Sequence, residues 1–246
     1  MKITIIYGNQ RKESTYHCVK FVKEKLTQLG QVHFSEFFLP RDLPHFCLGC
    51  FNCFLKGEEH CPHFEKVYPI LNEMINSDGI IMASPVYGFN ITGAMKSLVD
   101  HLCYLWMPHR PNEKMFQKIA MIISTTAGGG TGNTIKGMKI PLNFMGFKRI
   151  HSFGIAVAAA SWQNVDFRKK EKIEKVLNRK TVLFYKHLKD RNDLSHRLYT
   201  RINFFIMKKV ILKYYDDNLD KAYWKEKGWF TKNSPFKYLG EQNHHL

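Results

Sequence analysis

Residues 79–102, GIIMASPVYGFNITGAMKSLVDHL, constrain the fold more than any other stretch of this chain. The first five are apolar with no polar alternation, the pattern of a parallel strand covered on both faces. Ser84-Pro85-Val86-Tyr87-Gly88 then ends the strand with proline and glycine punctuation. Asn90 and Thr92 mark a helix start, and Ile91, Met95, Leu98, Val99 and Leu102 recur on one helical face. Strand, tight loop and helix in that order make half of a βαβ unit. In open parallel sheets ligands sit in the crevice at the carboxyl ends of such strands.

Two further loops have the same setting. Residues 3–7 read as the first strand and GNQRKEST (residues 8–15) as the loop after it, before a helix carrying Val19, Val22, Leu26 and Leu29. Free amides and the positive dipole end at that helix start suit a phosphate, with Arg11, Ser14 and Thr15 as donors. A helix merely capped by Ser14 is the competing reading. Residues 119–124 are another apolar strand, and TTAGGGTG after it has too many glycines to pack side chains, so it lets backbone approach a ligand closely or turn sharply before the next helix. In the central loop, Pro85 fixes the path so that the amides of residues 86–89 point outward together, with Tyr87 as a flat wall; an ordinary β-to-α turn is the alternative.

Residues 31–39 and 148–157 supply the second and fifth strands, and Asp166 starts a last helix. The expected fold is therefore α/β, a doubly wound, five-stranded parallel sheet, and the family resemblance described next implies the flavodoxin-like order 2-1-3-4-5. That order brings the loops after strands one, three and four to the switch point. The sheet unit covers residues 1–189, and residues 190–246 form a helical basic C-terminal extension.

Ser84-Pro85-Val86-Tyr87, then Asn90, Gly93, Met95-Lys96 and Asp100, resembles the flavin loop of the NAD(P)H-dependent FMN reductases. In those flavodoxin-fold proteins this loop's backbone meets the isoalloxazine edge. The usual Asp-Arg ending is Asp100-His101 here. Their first loop, Gly-Ser-Pro-Arg-Lys-x-Ser-Asn-Thr, is kept at Gly8, Arg11, Lys12 and Ser14, while Asn9, Gln10, Thr15 and Tyr16 depart from it. The resemblance implies FMN as cofactor and NAD(P)H as electron donor. It places flavin contacts at Gly8, Asn9, Arg11, Ser14, Thr15 and Tyr16, at Pro85, Val86, Tyr87, Gly88 and Phe89, and at Thr126, Ala127, Gly128 and Gly129. No side chain is assigned as a general acid or base.

Cys47, Cys50, Cys53 and Cys61 make a C-x2-C-x2-C-x7-C run holding four of the six cysteines. With no export signal in the sequence, redox or metal chemistry is a better reading than a disulfide framework. A 4Fe-4S cluster, bare thiols and zinc are the three uses such a run supports. The run resembles the compact cysteine motif of the iron–sulfur flavoproteins, where four cysteines hold a 4Fe-4S cluster that exchanges electrons with FMN. His45, His60 and His63 flank it and read as ordinary loop histidines. Cys18 and Cys103 read as small helix residues of the core.

The chain carries 37 Lys and Arg against 21 Asp and Glu, a formal net charge of +16, with about half of the bases beyond Asp166. That charge draws anionic lipid or nucleic acid nonspecifically, but no specific nucleic-acid signature accompanies it. Residues 195–215 read as a basic amphipathic helix with Leu198, Ile202, Phe205, Ile206, Val210 and Ile211 on its apolar side. Packing on the sheet unit or a second subunit is its expected use, and weak association with a membrane surface the alternative. Trp106, His109 and Arg110 fall either in a lid over the flavin or in a surface loop. The expected protein is a cytoplasmic homodimer or higher homo-oligomer with a small-molecule or protein electron acceptor. Two rivals are an iron–sulfur electron carrier and a non-catalytic basic module that keeps the fold without the flavin.

Overall fold

The computed structural model describes residues 1–231 and 233–236. β1 (Lys2–Tyr7) leads through the first loop into α1 (Ser14–Leu29), and β2 (His33–Phe38) follows. The cysteine segment holds one short helix, α2 (Asn52–Leu55), before α3 (Phe64–Asn76). Then come β3 (Gly79–Pro85), α4 (Gly93–His101), β4 (Ile119–Thr126), α5 (Thr131–Phe144), β5 (Arg149–Ala156) and α6 (Phe167–Lys189). α7 (Leu198–Ile211) and α8 (Leu219–Glu226) form the extension.

All four pairings in the sheet are parallel, in the order β2-β1-β3-β4-β5. This is the flavodoxin-like order the sequence predicts. Alternate strand residues feed opposite layers, as the pleat requires. Ile6, Ile80, Met82, Ala120 and Ile122 meet α3, α4 and α5, while Ile3, Ile5, Ile81, Met121 and Ile123 meet α1 and α6. β1 at Ile6, β3 at Met82 and β4 at Ile122 are in register. Their carboxyl ends, and the loops that leave them, therefore lie side by side.

A third cluster joins the extension to the sheet unit. Phe204 of α7 and Trp224 of α8 stack at 4.8 Å, and Ile211 and Trp229 pack with them against Met107 and Phe116. The buried side of α7 is thus Thr200, Phe204 and Ile211. Of the expected apolar side only Ile211 is buried; Leu198, Ile202, Phe205, Ile206 and Val210 face outward. The sequence contains two apolar stripes on this helix, and the aromatic partners Trp224, Trp229 and Phe116 decide which one turns inward.

The helix after β3 also ends earlier than expected. α4 stops at His101, and Cys103–Leu105 forms a separate 3-10 turn that buries Tyr104 and Leu105. Arg110 N–H donates to the Tyr104 carbonyl at 2.9 Å, which folds the segment back before it can run on as a helix.

Candidate functional site

Three loops are tied together at the carboxyl edge of the sheet. Gly8 N–H donates to the Ala83 carbonyl at 2.7 Å, and the Thr92 hydroxyl donates to the Gly8 carbonyl at 2.6 Å. The same Thr92 oxygen caps α4 by accepting from Met95 N–H at 3.2 Å. A Cβ on Gly8 would lie 2.8 Å from it, so this position admits no side chain without displacing the cap. Thr92 N–H in turn donates to the Ser84 hydroxyl at 3.2 Å. One threonine therefore fixes the first loop and the β3 loop relative to each other.

The β3 loop does not offer four outward amides. Val86 N–H donates to the Thr125 carbonyl, and Tyr87 and Asn90 bond each other in both directions at 3.0 Å. Gly88 and Phe89 sit between them at φ +54° and +59°, a tight reversal in left-handed backbone. Only their two amides remain without a partner among the described residues. In the β4 loop the Thr126 hydroxyl accepts from Gly128 N–H and donates to the Gly129 carbonyl, closing the turn on itself. The two loops meet where a Cβ on Gly130 (φ +98°) would stand 2.9 Å from Val86 and 3.1 Å from Phe89.

Between these loops lies a pocket of about 300 Å³. Nine of the sequence-predicted residues line it: Asn9, Arg11, Ser14, Thr15, Pro85, Val86, Tyr87, Thr126 and Ala127. Six do not. Gly8 lies behind the wall in the Thr92 tie, and Gly88, Phe89, Gly128 and Gly129 belong to the loop turns rather than the lining. Tyr16 points back to the sheet, its ring 5.8 Å from Tyr7 and 6.4 Å from Phe38. Glu13, Thr125, Val157, Ala159 and Ala160 complete the lining from outside the sequence-predicted set. The run of small residues after β5, AVAAAS, is the sequence signal for the last three.

The pocket's chemistry suits a phosphorylated flavin. Glu13, not Ser14, takes the N-cap position of α1 and makes no side-chain cap bond; its carboxylate accepts from Trp162 N–H at 2.7 Å. The first-turn amides of α1 thus stay uncapped and the turn holds no acidic residue, so the end of the dipole is open to an anion. Arg11 spans the pocket to the Ala160 carbonyl at 3.3 Å, and the Thr15 and Thr125 hydroxyls share a hydrogen bond of 2.7 Å. Tyr87, half exposed and bonded by Asn9 at 3.1 Å, supplies an aromatic face on the other side.

The cysteine run forms a second site on α4. Cys47, Cys50, Cys53 and Cys61 all line one cleft, closed by Phe51, Phe54, Pro62, His63, Asp100 and His101. Left-handed backbone at Gly49 (φ +62°) and Phe51 (φ +58°) folds the run round the cleft. Burial, then the neighbouring thiols Cys61 and Cys47, push the Cys53 thiol up to about 11; burial pushes Cys61 up as well. Such raised values disfavour free reactive thiolates at neutral pH. Four thiols that line one cleft are a donor set fit for an iron–sulfur cluster or for zinc.

Histidines crowd the same cleft. His101, buried in α4, has Nδ1 2.8 Å from the Ser97 carbonyl oxygen and Nε2 2.9 Å from His63 Nδ1, and His45 stacks on His63 at 4.6 Å. The ligand atoms of Cys61, His63 and His101 lie within 4.8 Å of one another. His63 and His101 are thus more than loop and helix decoration, and their separation in sequence hid the pairing. His60 stays exposed beside Glu59. Trp106, His109 and Arg110 form neither a lid nor a surface loop: Trp106 stacks on Phe144, and His109 and Arg110 pair with Asp220. The described residues contain no helix long and apolar enough to cross a membrane.

The family model for NADPH-dependent FMN reductases matches residues 1–161. The chain belongs to this family. As an FMN reductase family member it is an NAD(P)H-dependent flavin oxidoreductase with FMN as its cofactor. An iron–sulfur flavoprotein of Methanocaldococcus jannaschii is 28% identical over 204 residues, which cover 79% of this chain and 100% of that one. One from Clostridioides difficile is 30% identical over 136 residues, 54% of this chain and 57% of that relative. Among solved structures, an NADH:FMN oxidoreductase in its apo form superposes with a TM-score of 0.51 at 20% identity, over 81% of this chain and 93% of that one. An FMN-dependent NADH-azoreductase of Bacillus anthracis gives 0.52 at 15% identity, over 73% and 99%. These two share the fold with this family member.

Proposed function

We propose that this chain binds FMN in the pocket between the β1, β3 and β4 loops, takes electrons from NAD(P)H, holds a 4Fe-4S cluster at Cys47, Cys50, Cys53 and Cys61, and delivers electrons to a small-molecule or protein acceptor. The observation that carries the reading is the convergence of three loops from adjacent strands on one pocket, with the uncapped start of α1 at one wall and Tyr87 at the other. Arg11, Ser14, Thr15 and the α1 amides hold the phosphate, and Asn9, Pro85, Val86, Tyr87, Thr126 and Ala127 surround the ring. When bound, FMN supplies hydride chemistry and the cluster single-electron exchange. The protein contributes binding, orientation and the exclusion of water.

α4 relates the two sites. Its start touches the β3 loop through Thr92, and its end lines the cysteine cleft with Asp100 and His101. Nine residues of helix, about 13 Å along the axis, lie between these two contacts. Residues 1–189 are the flavin-binding part of this reading and residues 190–246 the extension. The outward apolar side chains of α7, among them Ile202, Phe205 and Ile206, support a homodimer built on that face.

An absorption spectrum of anaerobically purified protein, with labile iron and sulfide assayed on the same sample, tests the proposal. Flavin bands with about four irons per chain are expected. Arg11→Gln is expected to weaken FMN binding by about tenfold or more, the worth of a charge-assisted phosphate bond. Flavin without iron removes the cluster from the reading. A colourless protein that stays empty in excess FMN overturns it and leaves the basic module without a cofactor.

A further inference from the structure

The second helix of the extension, α8, reaches the segment that holds the cysteine loop. Asp220, in the first turn of α8, is 5% exposed. Its two oxygens are both engaged: Oδ2 with His109 Nδ1 at 2.8 Å and Oδ1 with Arg110 Nη1 at 2.5 Å. α8 grips the same segment twice more. Trp224 Nε1 donates to the His109 carbonyl at 2.6 Å and the Tyr223 hydroxyl to the Pro111 carbonyl at 2.8 Å.

On its other side this segment meets the cysteines. Arg110, 9% exposed, uses Nη2 to donate to the Cys53 carbonyl, with Glu58 Oε2 at 3.5 Å. The His109 ring lies 4.5 Å from that of Phe54, the residue after Cys53. One guanidinium thus bridges a carboxylate near the end of the chain and the backbone of the third cysteine. A planar, always charged fork suits that double task as a lysine would not.

We propose that α8 is part of the cysteine site: Asp220 orients Arg110, and Arg110 fixes the Cys53 peptide and sets a positive charge at that cysteine. Arg110 and Asp220 are positioning residues. The proposal rests on the cluster reading for what the sulfurs hold, but the tether between α8 and Cys53 is independent of any occupant. Breaking one partner of a buried ion pair leaves the other uncompensated, so losing Asp220 releases Arg110 from its place. The extension then has a definite task, completing a site whose ligands lie far away in sequence.

The test uses the full chain as wild type, Arg110→Gln, Arg110→Lys and Asp220→Asn, with Asp216→Asn as a control on an exposed carboxylate of the same extension. In metal-free protein, iodoacetamide labelling of Cys53 followed by mass spectrometry is expected to quicken about tenfold in Arg110→Gln and Asp220→Asn, the release expected from one charge-assisted bond. The control keeps the wild-type rate. Far-UV circular dichroism and FMN content show that each variant is folded; should Arg110→Gln fail to fold, Arg110→Lys and Asp220→Asn carry the comparison. After anaerobic reconstitution with iron and sulfide, the midpoint potential is expected to fall in Arg110→Gln, where the positive charge is removed, and to keep the wild-type value in Asp216→Asn. Labelling at the wild-type rate in folded Arg110 and Asp220 variants overturns the proposal. Wild type that takes up neither iron nor sulfide overturns the cluster reading instead, and the labelling rates still decide the tether.

Discussion

At the scale of single residues, the pocket depends on positions where a side chain has no room or the backbone is left-handed. Gly130 has both features: its φ is +98°, and a Cβ placed there would stand 2.9 Å from Val86 Cγ1. Gly130→Ala is expected to destabilise the protein by about 1–3 kcal/mol. It should also weaken FMN binding, because the β3 and β4 loops touch there; chemical denaturation and flavin titration measure the two effects. The glycine run TTAGGGTG was legible as a place of close approach because glycine excess is a local signal. What each amide would do was not legible. Whether the Val86 and Tyr87 N–H groups face a ligand depends on Thr125 and Asn90 as acceptors, and periodicity is blind to that. Asp220 was harder still, since its partner Arg110 stands 110 positions away in the sequence.

At the scale of elements, α7 is the helix the sequence predicts, with most of its predicted apolar side turned outward and a second stripe buried. Phe204→Ala, which empties the stack with Trp224, is expected to cost about 3–5 kcal/mol in urea denaturation. Ile202→Glu, half exposed on the opposite side, should change monomer stability by less than about 0.5 kcal/mol. The double variant Ile202→Glu/Ile206→Glu is expected to yield monomers by light scattering where wild type gives dimers; an unchanged mass would remove this face from the proposed homodimer. α1 and α4 were legible because each buries a single continuous stripe against the sheet, and β3 and β4 because they are apolar on both faces. The stripe that α7 buries is set by aromatic residues from α8 and from residues 107–116, which no window of its own sequence contains.

For the whole molecule, basicity and buried histidines set the response to acid. Burial, and then His187, Lys180 and Arg149, hold His151 down to about 4; burial, Lys148 and other cations do the same to His196. Both groups take up protons in the unfolded chain near their ordinary value of 6.5 but in the folded chain only near 4. Their contribution to stability is therefore present above pH 6.5 and is lost as pH falls towards 4. Melting temperature should drop through that window, and His151→Gln should flatten the drop; a profile equally steep in the variant would show that other groups carry it. The net charge of +16 adds self-repulsion at every point of the titration.

The cysteine cleft has a consequence for how the protein is made. Its thiols leave the ribosome early, at positions 47–61, whereas the carboxylate that orients Arg110 arrives only at position 220. A nascent chain stopped anywhere between residues 110 and 220 would hold all four cysteines and Arg110 without the carboxylate that pairs with it. Translation therefore supplies the tether between α8 and Cys53 well after it supplies the thiols.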